Sequence, residues 1–142
     1  MKKLILMLIL SGTIFKNAGA QTTSVTDTLA YLQTIVASKA NYIGQPFSVL
    51  MNSLQMPIKS FIPFASVHFE KNKETSTSFS FHARQTGDDY YSAYPLLRVS
   101  WVTPLNAEQS KILWKSNNCG LWSQAAIEFY STGIISDIQI RE

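Results

Sequence analysis

Two histidines and one glutamate are the side chains of this sequence best suited to metal chemistry. His68 and His82 are the only histidines, and Glu70 follows His68 two positions later. If the segments that carry them pair as a hairpin with His68 opposite His82, all three side chains share one face of a sheet. Two imidazoles and a carboxylate, completed by water, are suitable zinc ligands. The alternative function predicted here is therefore a small metal-dependent enzyme, although zinc spacing signatures such as HExxH are absent and solvent-facing histidines are the simpler interpretation.

Other reactive residues give weaker signals. Cys119 is the only cysteine, so it cannot form an internal disulfide, and the sequence around it matches no nucleophile motif. A buried small side chain is the simpler interpretation of Cys119. Asp88 and Asp89 are adjacent, whereas calcium loops alternate their acidic ligands, so a solvated turn is expected there. Because phosphate-binding, dinucleotide-binding and hydrolase motifs are absent, no catalytic residue and no cofactor are predicted.

Three tyrosines crowd one polar segment: Tyr90, Tyr91 and Tyr94. Tyrosine is amphipathic and enriched where proteins contact partners, so these residues are predicted to bind a partner. The competing interpretation is that the rings cover one end of the core. The favoured function is a non-catalytic binding or accessory domain whose partner is a protein or an envelope component, contacted through this loop or an exposed sheet edge. A pocket for a small apolar ligand is a further option, which patterning cannot distinguish from an ordinary core.

Two N-terminal segments, 27–39 and 46–55, carry apolar residues at helical spacing. Asp27 is placed to cap the first helix, and Pro46 suits the first turn of the second, where its missing N–H has no partner in any case. The run Gly-Gln-Pro at 44–46, the short helix after it and the antiparallel segments that follow resemble small envelope accessory or inhibitor-type domains. That resemblance implies a fold and carries no function.

From residue 58 onward the apolar period changes to two, which is typical of strands. The predicted strands are 58–62, 65–71, 76–84, 97–101, 121–130 and 134–141, and one helix is predicted at 106–115. The first hairpin places Phe69 opposite Phe81, and the C-terminal hairpin places Ile127 opposite Ile138. Residues 121–130 also have helical propensity, but the strand is preferred because 134–141 alternates cleanly and needs a neighbour.

The predicted fold class is α+β in two layers. Its mainly antiparallel sheet has about six strands, with two N-terminal helices and one helix inserted before a C-terminal hairpin. One face of the sheet is expected to bury its aromatic residues against the helices. The other face, rich in serine, threonine and histidine, is expected to face water.

The first twenty residues have the three parts of a cleavable signal peptide. Lys2 and Lys3 supply the positive start, residues 4–10 are apolar, and the small residues 18–20 form a cleavage site. The apolar run is too short to cross a bilayer. We therefore expect cleavage near Ala20, a single domain at 21–142, no transmembrane anchor in the mature chain, and an extracytoplasmic location, either periplasmic or secreted.

The leader also changes the interpretation of charge. The chain has 12 basic and 9 acidic residues, and three of the basic ones, Lys2, Lys3 and Lys16, lie in the leader, which has no acidic residue. The remaining nine basic and nine acidic residues give the mature domain a net charge of zero. Nucleic acid binding needs a basic patch to neutralise phosphates. No such cluster is present in the sequence, so a nucleic acid partner is not predicted.

Overall fold

A computed structural model of the chain describes residues 27–64, 70–83 and 94–142. These residues form four α-helices and one four-stranded antiparallel sheet, which confirms the predicted α+β class. In chain order the elements are α1 (Thr28–Ala37), a 3-10 turn (Lys39–Asn41), α2 (Phe47–Ser53), β1 (Ser60–Phe64), β2 (Lys73–Ser80), β3 (Leu96–Asn106), α3 (Ala107–Ser116), α4 (Gln124–Tyr130) and β4 (Ile135–Arg141). Within this part of the chain no helix combines the length and apolar character needed to cross a bilayer.

Two of the predicted helices begin at a side chain that caps them. The Asp27 carboxylate accepts a hydrogen bond from the N–H of Ala30 at the start of α1. The Asn106 side chain accepts from the N–H groups of Glu108 and Gln109 at the start of α3. These side chains satisfy backbone donors that have no partner inside the helix. Local capping chemistry therefore marks the starts of α1 and α3.

The sheet has the order β1-β2-β3-β4, and each strand is antiparallel to its neighbours. Phe61 lies opposite Phe79, Thr77 opposite Val99, and Val99 opposite Ile138. These side chains point towards the helices, because Phe61, Phe79, Val99 and Ile138 belong to the buried core together with residues of α1, α2 and α4. The core therefore lies between the helices and one face of the sheet.

The predicted hairpin of 65–71 with 76–84 is wrong in its register. β2 pairs with β1, and Ser60 lies opposite Ser80. Phe79 is opposite Phe61, whereas Phe69, which is predicted to lie opposite Phe81, is outside the described residues. The predicted edge strand at 58–62 exists as β1, two residues further along. Pairing Phe61 with Phe79 buries both rings completely, and a longer connecting loop costs little extra entropy.

The predicted C-terminal hairpin is also wrong, because 121–130 contains helix α4 instead of a strand. The Ser123 hydroxyl caps α4 by accepting from the N–H of Ala126, and the helix buries Ala126 and Tyr130 on one side. β4 lies where a final strand is predicted, but its neighbour is β3. The described residues consequently form four strands instead of about six, with two helices before the last strand.

The prediction that the second face of the sheet meets water fails on strand β2. Ser76, Ser78 and Ser80 alternate with the core-facing residues, yet none is more than 6% exposed. Alternation along the strand is present as predicted. It assigns each side chain to a face but does not determine whether that face is covered.

Candidate functional site

An apolar groove of about 490 Å³ lies between the end of α2 and the beginning of α4. Its walls are mostly aliphatic, aromatic or methionine side chains, with two amides: Met51, Asn52, Leu54, Gln55, Met56, Pro57, Ile58, Trp122 and Ile127. Its volume falls within the range of small-molecule pockets, which are also largely apolar with a few polar groups. Methionine side chains are flexible and polarisable, so they can adapt to ligands of different shape.

Trp122 is the rigid wall of this groove. Its ring makes edge-to-face contacts with Phe61 and Phe79, with centroid distances of 5.9 and 5.6 Å. Its backbone N–H donates to the carbonyl of Lys59 at 2.9 Å. The opposite wall is fixed by the N–H of Gln55, which donates to the Tyr31 hydroxyl at 2.7 Å. Both walls are therefore anchored to the core or to a neighbouring helix.

A tight turn after α3 brings Trp122 to its position. Asn118, Cys119 and Gly120 all have positive φ, and Gly120 donates its N–H to the carbonyl of Trp114. A Cβ on Gly120 would lie 2.3 Å from the carbonyl oxygen of Phe61, so glycine is required by both backbone angle and space. The Gly120 carbonyl accepts from the N–H of Phe61 at 2.9 Å, which joins the turn to the edge of β1. Cys119 is thus part of a structural turn.

A buried carboxyl group, Glu74, lies on the helix-facing side of the sheet. It is fully buried and accepts hydrogen bonds from the hydroxyls of Thr77 and Tyr130, the latter at 3.1 Å from Oε1. The Trp101 indole N–H donates to the Thr77 hydroxyl at 3.0 Å, and Ser110 contributes a further hydrogen bond to Glu74. Within the described part of the chain no basic side chain pairs with Glu74.

Burial raises the pKa of Glu74, while the hydrogen bonds from Ser110, Thr77 and Tyr130 oppose that rise. Burial also raises the pKa of Tyr130, and the adjacent Glu74 raises it further. Glu74 does not line the apolar groove. The cluster therefore acts as a hydrogen-bonded polar centre inside the core, of the kind that fixes how helices and sheet fit together.

The sequence pattern does not identify Glu74 as a core residue, because residue 74 lies between the predicted strands 65–71 and 76–84. Strand β2 in fact begins at Lys73, and its register with β3 shifts between Glu74 and Ser76. That irregularity breaks simple alternation, which explains why the period-two pattern did not place Glu74 in the core. The hydrogen-bond partner Tyr130 comes from α4, where a strand was predicted.

Of the three predicted metal ligands the structure describes Glu70 and His82, and it does not bring them together. Glu70 precedes β2 and forms a surface ion pair with Lys73 at 3.0 Å, whereas His82 follows the other end of β2. An eight-residue strand spans roughly 26 Å, so these two side chains lie far apart. His68 lies outside the described residues, among which no group of three possible metal ligands occurs. The zinc site stays a prediction, without support from this geometry.

The predicted tyrosine surface is described only at Tyr94. Its ring stacks on the His82 ring with a centroid distance of 4.3 Å and an angle of 26°. Tyr90 and Tyr91 lie outside the described residues, so the loop stays a prediction as a partner-binding surface. The contact joins one predicted partner-binding residue to one predicted metal ligand at the end of the sheet.

Comparison with known proteins adds no functional information. The chain matches no protein family, no curated protein and no solved structure.

Proposed function

We propose that this protein is an extracytoplasmic binding domain that takes an apolar ligand, or the apolar part of an envelope component, into the groove beside Trp122. The observation that carries the proposal is the groove of about 490 Å³ with its apolar walls. The extracytoplasmic location rests on the predicted leader at residues 1–20. The absence of a catalytic motif from the sequence favours binding over catalysis.

The chemistry of the walls supports an apolar ligand. Met51, Leu54, Met56, Trp122 and Ile127 are all half-buried, so each keeps apolar surface that a ligand would remove from water. Removing apolar surface from water contributes about 25 cal/mol per Å². The amides of Asn52 and Gln55 supply polar groups that would orient a polar end of the ligand.

The decisive experiment uses the neutral fluorescent probe N-phenyl-1-naphthylamine with the purified protein and two variants. Met56→Glu places a charge in the groove, while the control Val49→Glu places the same charge on α2, where Val49 is 42% exposed and outside the groove. A charge opposes the entry of an apolar molecule because it must lose its hydration. We expect the probe affinity to fall about tenfold or more, equivalent to about 1.4 kcal/mol, in Met56→Glu alone.

Thermal unfolding of both variants checks that the fold is retained. Saturable binding that Met56→Glu weakens and Val49→Glu leaves unchanged supports the proposal. Absence of saturable binding to the wild-type protein, or the same affinity in all three proteins, overturns it.

A further inference from the structure

A second site is suggested by an arginine on the sheet face that points away from the helices. Arg98 lies near the beginning of β3, opposite Ser78 on β2 and Gln139 on β4. Its chain neighbours Leu97 and Val99 are buried in the helix-facing core. Because side chains alternate along a strand, Arg98 projects from the other face.

Arg98 has a positive charge that the described residues do not neutralise. Its guanidinium lies over the Phe64 ring, 5.0 Å from the centroid, and its Nε is buried without a hydrogen-bond acceptor. No carboxylate in the described ranges forms an ion pair with it. A cation that is partly withdrawn from water and lacks a counter-ion attracts an anion more strongly than a fully hydrated one. Since Arg98 as a whole is only half-buried, its distal nitrogens are the donors that a ligand would reach.

A second arginine lies near the first on the same face. Arg141 is opposite Leu96, which places it diagonally from Arg98 across the β3–β4 pair. Diagonal neighbours in an antiparallel pair have Cα atoms about 7–8 Å apart, within reach of two long side chains. Arg141 is exposed and also lacks an ion pair with any described carboxylate.

The acidic side chain of β4 on this face is already engaged. Asp137 lies opposite Ser100, and its carboxylate accepts from Lys39 Nζ at 2.6 Å and from Gln139 Nε2 at 2.9 Å. The bond from Lys39 is the main reason that the pKa of Asp137 is lowered. Asp137 therefore has its charge matched by Lys39 and is not a counter-ion for either arginine.

We propose that Arg98 and Arg141 bind an oxyanion, the carboxylate, sulfate or phosphate group of a ligand, on this face of the sheet. A guanidinium presents parallel N–H groups that match two oxygens of such a group. The Phe64 ring lies against the Arg98 guanidinium, and the half-buried Ser100 follows two positions later on the same face of β3. This site lies on the face opposite to the helices and does not depend on the apolar groove.

The test titrates the protein with sodium sulfate, phosphate or acetate against sodium chloride at equal ionic strength, because general screening would act in all four salts. Binding is followed by calorimetry and by the NMR signals of the arginine side chains. We expect saturable binding of at least one oxyanion, weakened about tenfold or more in Arg98→Met and less in Arg141→Met. The control Lys111→Met removes an exposed charge on α3 and should leave binding unchanged. The preferred anion distinguishes a carboxylate ligand from a sulfate or phosphate ligand.

Two results overturn the inference: no oxyanion binds beyond the effect of chloride, or Arg98→Met binds as tightly as the wild-type protein. If Arg98→Met does not fold, Arg98→Lys and Arg141→Met carry the test, since a lysine keeps the charge but cannot bind two oxygens in parallel. Binding of the neutral naphthylamine probe should be unaffected by the arginine variants. Failure of this site is therefore distinguishable from failure of the groove.

Discussion

The two faces of strand β2 are both buried, but they differ in chemistry. On the helix-facing side, Phe79 stacks on Phe47 with a centroid distance of 4.6 Å and contacts the Tyr130 ring edge to face. On the other side, Ser76 and Ser78 are almost as inaccessible, although each buries only a hydroxymethyl group. The two faces are therefore similarly buried but bury very different apolar areas. Only the helix-facing side can supply much hydrophobic stabilisation.

The pKa values of the carboxyl groups on the two faces of the sheet are shifted in opposite directions. Glu74, on the helix-facing side, is enclosed without a basic partner, and burial raises its pKa. Asp137, on the other side, is partly exposed beside Lys39, and this contact lowers its pKa. Enclosure disfavours the charged form of a carboxyl group, whereas a neighbouring cation favours it.

The largest effect on stability is expected from truncating one side chain on each face of β2. Phe79→Ala should lower the free energy of unfolding by about 3–5 kcal/mol, because it leaves a cavity among tightly packed rings. The matched change Ser78→Ala should alter it by about 1 kcal/mol or less, because only one hydroxyl is lost. Urea denaturation of both variants measures the difference. Equal costs for the two changes would show that the serine face contributes to stability as much as the aromatic face.

A smaller, pH-dependent effect is expected at Glu74. Because the folded pKa of Glu74 is raised, its contribution to stability is fully present below its ordinary pKa and is lost as pH rises through the folded pKa. Each unit of difference corresponds to roughly 1.4 kcal/mol. Between about pH 5 and about pH 8 the urea midpoint of the wild type should therefore decrease more than that of Glu74→Gln, which cannot ionise. The same pH dependence in both proteins would mean that Glu74 does not titrate in this window.

The smallest effect is expected at the ion pair of Lys39 with Asp137, whose side chains are 39% and 31% exposed. Because the pKa of Asp137 is lowered in the folded protein, Asp137 contributes to the free energy of unfolding above its ordinary pKa. This contribution is lost as pH falls through the folded pKa. Because solvent screens the pair, Lys39→Ala should cost about 1 kcal/mol or less near neutral pH, and the cost should vanish at about pH 2. Denaturation at both pH values, with Lys111→Ala as the control, measures it. A cost that persists in acid would indicate lost packing of the lysine chain instead of lost charge.

Local signals predicted the helix starts well. Asp27 caps α1 as expected from its position before an apolar periodic segment, and Asn106, the first residue of the helix predicted at 106–115, caps α3. The final strand was also found by its alternation, within one residue of its observed start. Each of these features is decided by side chains within a few positions of one another, so a single sequence contains enough information.

The candidate sites could not be predicted in the same way. The groove brings residues 51–58 together with Trp122 and Ile127, which are more than sixty positions away in the chain. The Arg98 and Arg141 pair depends on the register of β3 with β4. A contact between distant segments leaves no periodic signal in either segment, so neither the groove nor the arginine pair could be predicted from the sequence.

Periodicity and capping residues predict the α+β class, the starts of α1 and α3 and the alternation of β4. The pairing of β2 with β1, the helix within 121–130 and the burial of Glu74 depend on contacts between distant segments. Capping and periodicity depend on side chains within a few positions of one another, so they can be predicted from the sequence. Register and burial are chosen by whichever distant element buries the most apolar surface while satisfying the backbone hydrogen bonds, and that choice exists only once the whole chain is packed.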